Sequence, residues 1–233
     1  MIPLRDNNPV RRFPVITIAL IAANVAVFLF LYRYLLAPES ARLIFLRYGL
    51  IPRELTSGVI LAPHPFPVGV TLFSSMFVHG GLFHVAGNML YLWIFGNNVE
   101  DAMGPARFLL FYLLSGLGAA FSQVLAGPNS TIPMVGASGA VSGVLGAYLL
   151  LYPQARVLTL ITLGFFWRIV EIPAVIVLGF WIVVQVVNGL LAFSFQGGGV
   201  AWFAHIGGFV AGPILLFLLG GGRRPRREPG AWA

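Results

Sequence analysis

Ser138 lies in the run Val135-Gly136-Ala137-Ser138-Gly139-Ala140-Val141-Ser142-Gly143, with almost no side chain on either side of its hydroxyl. A serine nucleophile needs an accessible oxygen and nearby N–H donors for the anionic oxygen of a tetrahedral intermediate. A helix starting here would supply unpaired N–H groups and the positive end of its dipole. The Gly139–Gly143 spacing also suits a helix-packing face, and both uses can hold together because tight packing fixes the serine. A candidate base is His205, in Ala204-His205-Ile206-Gly207-Gly208-Phe209-Val210-Ala211-Gly212. Histidine ordinarily titrates near pH ~6.5 and is well placed to accept a hydroxyl proton at neutral pH. His205, Gly208 and Gly212 share a helix face, so the small residues would allow close approach to the helix of Ser138.

His84 and Asn88 form an i, i+4 pair within His84-Val85-Ala86-Gly87-Asn88, and two such donors can stabilise an oxyanion. Interhelical hydrogen bonding or metal ligation are the other uses of this pair. Metal is poorly supported, because the four histidines (His64, His79, His84, His205) come without an HExxH run or a carboxylate partner. No cofactor is implied. His79 is expected to be structural, bonding the first loop. No Asp or Glu falls near these residues within an apolar stretch, so the catalytic unit would be a Ser–His dyad with His205 oriented by packing. Asn24, Gln185 and Asn188 are the other strongly polar residues of the apolar stretches.

The elements that must carry these residues are set by composition. The chain has 233 residues, 58% of them hydrophobic and 9% charged, and a mean hydropathy of +0.90. Soluble domains carry about a quarter charged residues, so lipid must be the main solvent here. The net charge of +7 comes from Arg clustered at the chain ends and in a few loops, with no basic stripe interleaved with aromatics, which argues against nucleic-acid binding. There is no Cys, hence no disulfide frame, thiolate nucleophile or Cys-ligated metal. Long continuous apolar runs favour helices over barrel strands. Six are expected, at about 14–34, 80–98, 106–126, 137–152, 172–193 and 201–220. The first is too long for a cleaved signal and reads as a retained span. Gly96-Asn97-Asn98 and the pair Glu100-Asp101 should end the second. The proline-rich segment 35–70 should lie at the interface as short helices, and the apolar part of 157–167 should dip into it.

Six spans put both termini on one side, and their arginines make that side cytoplasmic. The second, fourth and sixth spans then start at the outer face, which brings His84, Ser138 and His205 to one depth. The chain reads as an all-α polytopic membrane protein: one membrane domain over 1–222, then a basic tail over 223–233. A channel or transporter is disfavoured because the polar residues gather at one depth and no repeat is visible.

Gly136-Ala137-Ser138-Gly139, Ala204-His205 with Gly208 and Gly212, and His84 with Asn88 occur in that register across nearly the whole chain, and with them the sequence resembles the rhomboid family of intramembrane serine proteases. The resemblance implies a six-helix bundle, Ser138 as nucleophile and His205 as general base. It also implies an oxyanion hole made of His84, Asn88 and the Ser138 amide. Substrates would be membrane proteins cut in or beside their transmembrane helices, with small residues favoured at the cut. A substrate helix would enter near the fifth and second spans, and a loop around 194–200 would cap the cavity. The expected setting is the plasma (inner) membrane of a prokaryote. The other reading is a proteolytically inactive relative that binds or escorts membrane clients, although such proteins usually lack the nucleophile or the base. Two departures stand out. Many members have Trp-Arg in the first external loop, whereas this chain has no Trp before Trp93. Some members place Tyr four residues after the nucleophile, where this chain has Ser142.

Overall fold

The computed structural model describes residues 1–164, 166–195 and 200–220. The expected basic tail at 223–233 lies outside them, as do residues 196–199 of the expected capping loop. Five of the apolar runs form helices close to their expected bounds: α1 (Val15–Leu35), α7 (Pro105–Ala126), α8 (Ser138–Leu151), α9 (Ala174–Phe195) and α10 (Trp202–Leu218); the remaining one begins as α5 (Leu82–Tyr91). By length and composition α1, α7 and α9 can each cross a membrane, and the bent pair Val68–Phe77 and Leu82–Met103 counts as a fourth candidate. The apolar helices α8 and α10 are shorter.

The expected end of the second apolar helix near residue 98 is corrected. Beyond α5 the chain continues through a π-helical turn, Leu92–Gly96, into α6 (Asn97–Met103). Gly96 does not break the helix. It makes room for α1: a Cβ there would lie 2.9 Å from Leu92 Cδ1 and 3.5 Å from Thr17 Cγ2. Gly104, with φ +79°, makes the actual corner, and Pro105 opens α7. The acidic pair has a role the sequence did not suggest. Glu100 accepts hydrogen bonds from the N–H groups of Ile16 (2.9 Å) and Thr17 (2.8 Å) and from the Thr17 hydroxyl (2.7 Å). Asp101 accepts from the N–H groups of Arg11 (3.3 Å) and Arg12 (3.1 Å). Negative charge thus meets the positive end of α1 and satisfies donors that no helix can pair internally.

The all-α expectation is also corrected. β1 (Ile2–Asp6), β2 (Arg156–Leu163) and β3 (Phe166–Pro173) form an antiparallel sheet in the order β1-β2-β3. The stretch expected to dip into the interface is therefore a hairpin, turned at Gly164 with φ +58°. It is rich in β-branched residues that suit a pleated surface, and Val157 and Thr159 are fully buried on its inner face.

The first loop contains α2 (Pro38–Tyr48) and α3 (Pro52–Ser57), then 3₁₀ turns around α4 (Thr71–Ser74). It is seated without a Trp-Arg pair. Leu50 and Met134 exchange backbone hydrogen bonds of 2.9 and 2.8 Å, and the Arg53 N–H donates to the Ser130 carbonyl at 3.0 Å. The buried Glu54 carboxylate accepts from the Leu61 N–H (2.7 Å) and lies 2.8 Å from His64 Nε2. The loop is thus tied to the segment that leads into Ser138.

The core is centred on α8, whose residues 139–148 are all buried. Close approach depends on glycine. A Cβ on Gly139 would lie 2.6 Å from that of Ala119 on α7, a Cβ on Gly208 would strike the Gly139 carbonyl, and one on Gly212 the Gly143 carbonyl. The face expected from Gly208 and Gly212 is the face by which α10 meets α8.

Candidate active site

Ser138 is the first residue of α8 and His205 the fourth of α10, so the Gly139–Gly208 and Gly143–Gly212 contacts set the separation of their side chains. His205 Nε2 lies 2.8 Å from Ser138 Oγ. That is hydrogen-bond distance for a hydroxyl handing its proton to an imidazole.

His84 is in the first turn of α5. The Gly80 N–H donates to its Nδ1 at 3.3 Å, which leaves Nε2 as the protonated nitrogen of a neutral ring. Asn88 follows one turn later, and its Nδ2 is buried with no hydrogen-bond partner among the described residues. Both donors converge on the backbone just before Ser138: a Cβ on Gly136 would lie 2.6 Å from His84 Nε2 and 3.7 Å from Asn88 Nδ2. Gly136 has φ +120°, a conformation few other residues adopt, and its N–H donates to the Ser75 carbonyl at 2.8 Å. As the first residue of α8, Ser138 has an N–H with no partner in its own helix. The structure therefore gathers all four expected site residues around one point.

His79 is buried and bonded to the backbone. Its Nε2 accepts the Ala137 N–H at 3.3 Å, so it bonds the segment leading into Ser138. The position four residues after the serine, Ser142, donates its hydroxyl back to the Ser138 carbonyl at 2.6 Å and does not reach His205. Sequence reasoning assigned no role to Gln185, whose Oε1 lies 2.8 Å from His205 Nδ1. It also missed Gln123, whose Oε1 accepts the Ala204 N–H at 3.2 Å in the first turn of α10. The signal for both was a polar amide inside an apolar helix.

A cavity of about 20 Å³ adjoins Ser138, lined by Met76, Gly116, Ala119, Met134 and Ala204 among others. That is space for about one water molecule. The small residues of α7 make one wall, and Met76 lies directly over Gly116.

Apolar helices in this number define a multi-pass membrane protein, with a serine and a histidine in contact at the start of two of its helices. Comparison with known proteins defines the family: the rhomboid domain matches residues 69–222, and the chain belongs to the rhomboid family. It is 36% identical over 149 residues to RHOMBOID-like protein 1 of Arabidopsis thaliana, covering 63% of this chain and 33% of that protein. To rhomboid protease GluP of Bacillus subtilis it is 34% identical, over 64% of this chain and 26% of that protein. With the chloroplastic Rhomboid-like protein 11 of Arabidopsis thaliana the identity is 30%, over 67% and 54% of the two chains. These curated relatives are matched over only about a quarter to a half of their own lengths.

Proposed function

We propose that the protein is an intramembrane serine endopeptidase that hydrolyses peptide bonds in or next to transmembrane helices of other membrane proteins. The 2.8 Å contact between Ser138 Oγ and His205 Nε2 carries this reading. Ser138 Oγ attacks the scissile carbonyl carbon and its proton passes to His205 Nε2. The carbonyl oxygen, now an anion, accepts from His84 Nε2–H, the Asn88 amide and the Ser138 N–H. His205 then gives its proton to the leaving amine. Water, deprotonated by the same nitrogen, releases the acyl group and restores the serine. The small cavity beside Ser138 suits a small side chain at the cut.

In this reading α1, the Leu82–Met103 helix, α7, α8, α9 and α10 all cross the bilayer, with both termini cytoplasmic. The fourteen residues of α8 reach only about 21 Å of a hydrocarbon core about 30 Å thick. The irregular chain before it completes the crossing, which protein-buried backbone can do. Ser138 then lies below the outer surface, within reach of a helix entering from the lipid. The Arg-rich ends support the orientation. The setting we propose is the plasma membrane of a prokaryote.

Ser138→Ala and His205→Ala are each expected to abolish cleavage of a model transmembrane substrate in proteoliposomes while the protein stays folded. A serine-reactive fluorophosphonate should label the natural sequence and not Ser138→Ala. Full cleavage by Ser138→Ala would end the proposal. A folded natural protein that neither cleaves nor labels would favour the second reading, an inactive client-binding relative. The Ser138–His205 contact counts against that second reading.

A further inference from the structure

The side of the His205 ring remote from Ser138 is also held, by a residue of a different helix. Gln185 of α9 is 6% exposed, and its Oε1 lies 2.8 Å from His205 Nδ1. The other end of the same amide fixes which atom faces the ring. Gln185 Nε2 lies 3.3 Å from the Trp181 carbonyl oxygen, an acceptor that only the NH₂ group can satisfy. Oε1 must then point at His205, and an amide oxygen can only accept. His205 Nδ1 therefore carries the ring proton and Nε2 presents its lone pair to the Ser138 hydroxyl, the tautomer a general base needs. The rings of Trp181 and Trp202 flank the imidazole, with centroids 5.9 and 6.2 Å away. Ser142 makes no such contact, because its hydroxyl is bonded to the Ser138 carbonyl.

We propose that Gln185 is a positioning residue that holds His205 in the Nδ1-protonated tautomer, a role that rests on the protease reading above. The site is then three residues from three helices: nucleophile on α8, base on α10 and a neutral acceptor on α9. A neutral amide orients the ring without placing a full charge in the membrane interior, where an aspartate would be costly.

The test uses Gln185→Met, which keeps length and removes the acceptor, beside Gln185→Glu, which keeps an acceptor oxygen in either protonation state. Gln185→Met is expected to lower kcat on a transmembrane substrate and the rate of fluorophosphonate labelling by roughly 10- to 100-fold. KM should be nearly unchanged and Gln185→Glu should retain most of the rate. ¹⁵N spectra of histidine-labelled protein, with the His205 signals identified by their loss in His205→Ala, should show Nδ1 protonated in the natural sequence. In Gln185→Met the Nε2-protonated form should appear. Natural kcat with an unchanged tautomer in Gln185→Met would overturn the proposal, as would a folded Gln185→Glu as slow as Gln185→Met. If the natural protein neither cleaves nor labels, the protease reading fails by itself. The spectra still decide whether Gln185 sets the ring's proton.

Discussion

A single methyl group at Gly136 would occupy the point on which the candidate oxyanion donors converge, 2.6 Å from His84 Nε2. Gly136→Ala should therefore cost about as much as removing a donor outright, on the order of 10²- to 10³-fold in kcat. His84→Ala and Asn88→Ala should each fall in the same range. Adding His84→Ala to Gly136→Ala should bring little further loss, because the two act on one interaction. Single-turnover cleavage kinetics on folded variants would measure this, and full additivity would separate Gly136 from the donors. That Ser138, His205, His84 and Asn88 would lie near one another was legible in the sequence, because each sits in a short run whose spacing has a mechanical meaning. Gln185 was visible only as a polar residue in an apolar helix. Its partner is twenty positions away on another helix, and no local spacing rule links the two. The Ala137 partner of His79 was hidden for the same reason, since it lies 58 positions away.

At the scale of elements, α8 and α10 approach so closely that backbone meets backbone. A Cβ on Gly212, two turns along α10 from His205, would collide with the carbonyl of Gly143. Gly212→Val should push α10 outward and cost about 1–3 kcal/mol of stability as overpacking. It should reduce cleavage far more than that loss explains, because His205 moves with its helix. Gly87→Ala, where the added carbon meets no atom within 4 Å beyond its chain neighbours and its own helix backbone, is the matched control and should do neither. Unfolding and cleavage measured on one preparation would test both. Five of the six apolar helices were legible to within about two residues because lipid demands long unbroken runs. Two readings failed where local composition competes with tertiary context. Gly96-Asn97-Asn98 looks like a stop, but its glycine admits α1 and the helix runs on through a π turn. The 157–167 run has apolar residues enough for an interfacial segment. Its β-branched residues became a strand because the chain's first residues supply a partner about 150 positions away, which no local pattern encodes.

Across the whole molecule, that partner strand closes the end of the bundle opposite the site. Asp6, at the end of β1, accepts hydrogen bonds from the Tyr148 hydroxyl at 2.6 Å and the Asn98 side chain at 3.0 Å. Asn8 donates to the same hydroxyl at 2.8 Å. The N-terminus is thus clamped to α8, ten residues from Ser138 on the same helix, and to α6. Burial pushes the Asp6 carboxyl above its ordinary value of 3.8, and the hydrogen bond from Tyr148 partly opposes the rise. An acid whose pKa is raised by folding binds its proton more readily in the folded state. Its contribution to stability is then fully present below about pH 3.8 and is lost as pH rises through the folded value. The clamp should be strongest in mild acid. Asp6→Asn keeps an acceptor oxygen for Tyr148 without burying a charge. It should melt at or above the natural protein's temperature at neutral pH and show less gain in stability on acidification. Asp6→Leu leaves the Tyr148 hydroxyl and the Asn98 amide without that partner and should cost about 1–3 kcal/mol in mild acid, and less as the pH rises. Thermal unfolding followed between pH 4.5 and 8 separates these outcomes. A natural protein that loses stability on acidification while Asp6→Asn does not would mean that the carboxylate is held as a stabilising charge, which would reverse this account of the clamp.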